Sequence, residues 1–220
     1  MTKIRCIVCA VFLICTVALI PQPASAGVVF TTLGPGGEYD ITNGWQVAGS
    51  GQVIANPFTL GTGTTVADAV LALGNLAGGD NPVNVYIESD RSGPGSIIAT
   101  LSQVGTILPF HNGFGGGLVT FTCSGAGCTL GAGSYWLVAQ EPDPNTAHVW
   151  DYVYQDATTG AAYNAINSPT GPWIVSYTMI GDAFQIDGAE SGVPEPTSIL
   201  LIATGLLGIG IARRRSIGRG

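Results

Sequence analysis

Two histidines, His111 and His148, and thirteen carboxylates from Glu38 to Glu190 are the residues of this 220-residue chain best suited to proton transfer or metal ligation. Their spacing is poor for either. Neither H-x-x-x-H nor H-E-x-x-H occurs, so the usual zinc spacings are missing. His148 with Asp151 and Asp156 could form a base and its orienting acid. The run Ala147-His148-Val149-Trp150-Asp151-Tyr152-Val153-Tyr154 alternates instead like a strand, with His148 and Trp150 on one face. Glycoside hydrolysis needs two carboxyls about 5 Å or roughly 6.5–9.5 Å apart. Glu141/Asp143 and Asp151/Asp156 are the pairs that an acidic chain offers by chance. No D-x-D-x-D-G loop suggests calcium, and Asp80, Asp90, Asp182 and Asp187 read as turn formers and solubilising charge. Without a G-x-S-x-G elbow or a glycine-rich loop opening a helix, the expectation is a non-enzymatic chain with no cofactor and no metal.

Cysteine and aromatic positions are more informative. Cys6, Cys9 and Cys15 lie in the first twenty residues, which leaves Cys123 and Cys128 as an even pair in the body. In an exported domain that arithmetic implies one disulfide, here clamping a hairpin tip over Ser124-Gly125-Ala126-Gly127. A redox dithiol is the rival, although it favours two intervening residues. Trp150, Tyr152, Tyr154, Tyr163 and Trp173 fall within 24 residues. Of these, Trp150, Tyr152, Tyr154 and Trp173 are a candidate platform for stacking on sugar rings, the alternative being ordinary core packing. Trp45 and Trp136 are assigned to the core.

The elements that must position these residues read as strands. Twenty-eight glycines lie between Gly27 and Gly192, clustered between apolar runs and without period, which is turn punctuation. Val83, Val85 and Ile87 alternate with Asn84, Tyr86 and Glu88. Similar short strands are expected at 28–32, 45–47, 53–60, 66–73, 97–101, 118–123, 135–139, 148–154, 173–179 and 184–186. Residues 145–172 look less regular, like an excursion at one end. The expected fold is all-β: an antiparallel two-sheet sandwich, jelly-roll-like, with a signal helix before it and a single hydrophobic helix after it.

Charge narrows the partners. Lys3 and Arg5 stand at one end, Arg213, Arg214, Arg215 and Arg219 at the other, and only Arg91 lies between. One base against thirteen acids gives the body a net charge of −12. Nucleic acid is excluded, because displacing phosphate counterions requires clustered Lys and Arg.

Both ends read as addresses. Lys3 and Arg5, the apolar run Cys6–Ile20 and the small residues Ala24-Ser25-Ala26 form a secretory signal peptide, residues 1–26, cut by signal peptidase after Ala26. The other end carries Pro194-Glu195-Pro196, an uncharged stretch from Ser198 to Ala212, and Arg213-Arg214-Arg215. That stretch would rise about 22 Å as a helix, less than the ~30 Å hydrocarbon core, and the arginines favour a cytoplasmic C-terminus. A plain tail anchor is the simple alternative.

Those three parts in that order resemble the PEP-CTERM protein-sorting signal of Gram-negative bacteria. The resemblance implies recognition by an exosortase, removal of the tail (residues 191–220) after transient passage in the inner membrane, and delivery to the cell surface or the extracellular polysaccharide matrix. Two further segments, Glu88-Ser89-Asp90-Arg91-Ser92-Gly93-Pro94-Gly95-Ser96-Ile97-Ile98 and Leu130-Gly131-Ala132-Gly133-Ser134-Tyr135-Trp136-Leu137-Val138, resemble choice-of-anchor surface domains, which are small β-sandwiches. The expectation is therefore an exported surface or matrix protein with a β-sandwich ectodomain at 27–190. A lectin-like module is the alternative, and a carbohydrate-active enzyme the more remote one.

Overall fold

A computed structural model describes residues 26–49, 51–76, 81–111, 114–154 and 158–190. The strands in chain order are β1 (Gly27–Thr31), β2 (Tyr39–Ala48), β3 (Val53–Leu60), β4 (Thr64–Asn75), β5 (Asn84–Asp90), β6 (Pro94–Val104), β7 (Phe110–His111) and β8 (Phe114–Gly115). They continue as β9 (Gly117–Cys123), β10 (Thr129–Leu130), β11 (Gly133–Gln140), β12 (Ala147–Val153), β13 (Ala161–Asn164), β14 (Ile174–Ser176) and β15 (Phe184–Glu190). Among the described residues there is no α-helix, only short 3-10 structure such as the turn Ala126–Cys128. The all-β expectation is met. The two flanking helices were expected on residues that lie outside those described.

Instead of two separate sheets, thirteen strands form one antiparallel sheet: ten follow the path β1-β15-β4-β9-β6-β5-β11-β3-β13-β14, β10 and β12 join at β4 and β2 at β12, and β7–β8 make a separate hairpin. The cause is β4. Its twelve residues pair with β15 and β9 along their length and with β12 and β10 at the two ends, so the ladder never breaks. The sheet curls on itself. β1 and β3 stand seven places apart on the path, yet Phe30 and Phe58 meet at 5.9 Å between ring centroids, and Phe184 of β15 joins both. Aromatic pairs at such distances add to the area they bury.

Period-two alternation sets the two faces. Val85 and Ile87 of β5, Leu137 and Ala139 of β11, Ile54 and Phe58 of β3 and Leu71 and Leu73 of β4 fill the enclosed core. Trp136 and Val138 of β11, Val53 and Ala55 of β3 and Ala162 of β13 form a second apolar cluster on the opposite face. Trp136 is therefore buried outside the main core, and Trp45 is partly buried against it. β13 was not expected as a strand. Its sequence, Ala-Ala-Tyr-Asn, has weak strand propensity, and its pairing with β3 at Asn164↔Val53 to Ala162↔Ala55 decides its conformation.

Candidate functional site

His148 is fully buried on β12, and its Nδ1 is engaged by Glu141 Oε1. Glu141 is fully buried too, and its other oxygen accepts the Thr146 hydroxyl at 2.7 Å. The three side chains lock the connection from β11 to β12. Burial closes this group to substrate, so His148 and Asp151 do not form the base–orienter pair that their spacing allowed. Asp156 lies outside the described residues, and so does Asp80. Asp143 sits in an exposed turn, accepting the backbone N–H of Asn145 at 2.8 Å. Its carboxyl and that of Glu141 stand in different environments. His111 lies on β7, away from β12 in sequence and in sheet.

The acids that read as surface charge divide. Asp90 does form a turn, accepting the Gly93 N–H at 3.2 Å and also the Trp136 indole at 3.1 Å. Asp187 faces Asp68 across the β15–β4 ladder, and burial and the neighbouring Asp187 raise the Asp68 carboxyl. Asp182 is not a surface charge at all. It is fully buried between β12 and β15, where Asn56 donates to its Oδ2 at 2.9 Å and accepts its backbone N–H at 2.9 Å. Burial pushes its carboxyl well above the usual range, Asn56 and the Trp45 backbone lower it in part, and Asp151 raises it again. Asp151 is also fully buried, and neither of its oxygens has a partner. Burial and then nearby Asp40 push it up to about 8. A carboxyl in this state carries its proton at neutral pH. Among the described residues, no group of three or more His, Cys, Asp or Glu is placed to hold a metal ion.

The expected aromatic platform is taken apart by the fold. Trp150 is buried in the core and donates its indole N–H to the Ala183 carbonyl at 3.0 Å. Tyr154 is exposed beside Gly34, and Trp173 packs on the second apolar cluster. With Trp150 sealed in the core and the β12 register shifting between Asp151 and Tyr152, the four aromatics form no common exposed surface. The rings that do meet are Trp45, Tyr152 and Tyr163. Trp45 and Tyr163 stack at 6.4 Å with 10° between planes, and Tyr152 meets Trp45 edge-on at 6.1 Å. The Trp45 indole is fixed by a hydrogen bond to the Ile180 carbonyl at 3.0 Å.

Tyr163 also borders an open cleft of about 310 Å³, lined with Gln46, Ala48, Gly51, Gln52 and Ala165. The lining is uncharged: one aromatic ring, two carboxamides and small residues. Such a lining offers hydrogen bonds to hydroxyls and one apolar face, with nothing to attract an ion. The cleft was not legible in the sequence, since Gln46 lies in β2 and Gln52 in the turn before β3, and neither carries a motif.

Cys123 and Cys128 are joined by a disulfide. It does not close a hairpin tip. Both flanking strands run along the same neighbour, with Thr122 opposite Asp68 and Thr129 opposite Thr65 of β4. Residues 124–127 are looped out of that path, and the bridge pinches the loop's two ends together.

Ala26 begins the described region. Ala24 and the tail residues Pro194, Glu195, Pro196, Arg213, Arg214 and Arg215 lie outside it. Among the described residues, no helix is long and apolar enough to cross a membrane. Residues 192–216 match the PEP-CTERM protein-sorting motif, which implies export and exosortase processing. The chain matches no curated protein and no solved structure.

Proposed function

We propose that this PEP-CTERM protein is delivered by its tail to the outer surface, loses that tail to an exosortase, and serves there as a non-catalytic component of the polysaccharide matrix. The match at residues 192–216 carries the reading. The burial of His148 by Glu141 and Thr146 supports the non-catalytic part, because the residue best suited to proton transfer is spent on holding a loop.

The ligand class follows from charge and lining. A body of formal net charge −12, still strongly negative with Asp151 and Asp182 protonated, repels acidic polymers, and the cleft beside Tyr163 presents carboxamides and a ring rather than cations. Uncharged polysaccharide is the partner this combination suits. The lectin-like reading thus moves from Trp150, Tyr152, Tyr154 and Trp173 to Tyr163, Gln46 and Gln52.

Intact mass of the native protein recovered from cell surface and medium tests the sorting. The expected species starts at Gly27 and ends near Pro194–Thr197, two hydrogens lighter for the disulfide. A species retaining Ser198–Gly220 would replace matrix delivery with a plain membrane anchor.

A further inference from the structure

Glu88 lies on the outward-facing side of β5, opposite Trp136 of β11 and Ile97 of β6. An outward carboxylate should meet water, yet Glu88 is fully buried and neither of its oxygens has a hydrogen-bond partner. The cover is the end of the sheet itself. Along the path β5-β11-β3-β13-β14, β14 is four places from β5, but the Val175 Cγ2 atom reaches to 2.7 Å from where a Cβ on Gly93 would stand, at the β5–β6 turn. β14 has therefore folded back across the outer face of β3 and β11. Trp173 and Val175 pack there on the Trp136, Val138, Val53, Ala55 and Ala162 cluster.

This cover is lightly anchored. β14 holds β13 by three register pairs, and β13 holds β3 by three. A side-chain strut is added by Gln140, which accepts the Tyr86 hydroxyl at 3.1 Å and donates to the Asn167 carbonyl at 2.8 Å. The cover itself is incompletely satisfied, since the Trp173 indole N–H is also buried without an acceptor. The ionisable groups around Glu88 offer it no counter-charge within hydrogen-bond reach. Tyr86 and Asp90 share its strand, and Arg91 is in the adjoining turn. β11 and β6 place Trp136 and Ile97 opposite it, and Trp173 and Val175 lie over the adjoining apolar cluster.

We propose that β14, with Val175 on it and Trp173 just before it, is a pH-gated cover: it closes over Glu88 when that carboxyl is protonated and lifts to bare Trp136 when it is ionised. An apolar cover tolerates the neutral acid far better than an unpaired anion, whose burial is costly. Burial raises Glu88 from 4.5 to about 7, so the gate operates between those values. In that window the open form releases a proton that the closed form keeps, and rising pH drives opening. Between pH 5 and 7.5 the opening equilibrium should rise roughly fiftyfold for a single group of these two pKa values.

Hydrogen exchange of the full-length protein at pH 5 and 7.5, each rate normalised to its intrinsic value, measures this directly. Protection across residues 161–176 should fall by tens-fold in the wild type and stay nearly constant in Glu88→Gln. Equal pH dependence in the two proteins overturns the proposal, as does unchanged protection in the wild type. A second readout needs no change at Glu88. Acrylamide quenching of the emission lost in Trp136→Phe should increase from pH 5 to 7.5, and quenching independent of pH would sink the gate.

Discussion

Cys123 is bonded to Cys128 across a loop that leaves and rejoins a single strand path, with Thr122 and Thr129 three positions apart on β4 although seven apart in sequence. The bridge thus keeps β9 and β10 in line while four residues bulge outward. Closing so small a loop is worth about 2 kcal/mol on chain-entropy grounds. The double variant Cys123→Ser, Cys128→Ser should lower the denaturant midpoint by about that free energy with an unchanged m-value. A loss several times larger would mean that β10 and its Leu130 contact leave the sheet altogether.

Gly127, inside the same loop, has no space for a side chain, because a Cβ there would collide with the Ile98 carbonyl oxygen of β6. Its neighbour Gly125 has open space around it. Gly127→Ala should cost about 1–3 kcal/mol through backbone displacement. Gly125 has a φ of 98°, a region where alanine is strained even with open space around it. Thermal unfolding of Gly127→Ala beside the disulfide-free double variant tells whether loop and bridge act together. Additive losses would show them independent.

Asp151 sets an unusual pH dependence. Its folded carboxyl stands at about 8 against 3.8 ordinarily. Below 3.8 both folded and unfolded forms are protonated and the stabilisation is fully present. From there to about 8 the unfolded chain has released a proton that the folded one retains, so stability falls as pH rises, by up to ~1.4 kcal/mol per pH unit. Most proteins lose stability toward acid; here this group works in the opposite direction. Asp151→Asn should flatten the slope between pH 5 and 8 in urea titrations. An identical slope in the variant would remove Asp151 as its source.

Strand positions were legible because they obey a local rule. Val83, Val85 and Ile87 alternate with Asn84, Tyr86 and Glu88, and the sheet respects that alternation. What the outward face meets was not legible. Glu88 is sealed because β14, some eighty residues later, folds back over it, and no local pattern encodes that contact. Asp182 is a similar case. Flanked by Gly181 and Ala183 it resembles a turn residue, and its burial depends on Asn56, 126 residues away. The aromatic platform failed because Trp150 is drawn into the core, where its indole meets the Ala183 carbonyl 33 residues away, and the register shift at Asp151/Tyr152 is equally invisible locally. The disulfide pairing followed from counting, whereas its setting within one strand path required the register with β4.

Glu141 and His148 form the buried pair on which the β11–β12 connection depends. Removing one partner leaves the other buried without compensation, which typically costs about 3–5 kcal/mol. Glu141→Ala should therefore destabilise far more than Asp143→Ala, two positions later in an exposed turn. Chemical denaturation of both variants checks the contrast. Similar small losses would mean that water or a rearranged loop satisfies His148.

The cleft beside Tyr163 gives the matrix reading its sharpest test, because Gln46 is exposed, Gln52 is half-buried, and both line the cleft. Tyr163 itself is a poor first target, since it packs against the core and stacks on Trp45. Gln46→Ala with Gln52→Ala removes the two carboxamides and should leave stability within about 0.5 kcal/mol, as surface changes usually do. Retention on an insoluble uncharged polysaccharide should drop roughly tenfold, the equivalent of losing one or two net hydrogen bonds of about 1 kcal/mol. Retention on a polyuronate should be negligible before and after, because the −12 body repels it. Unchanged retention on the neutral polymer would place the contact elsewhere on the domain. Stronger retention on the polyuronate would overturn the charge argument that selected the ligand class.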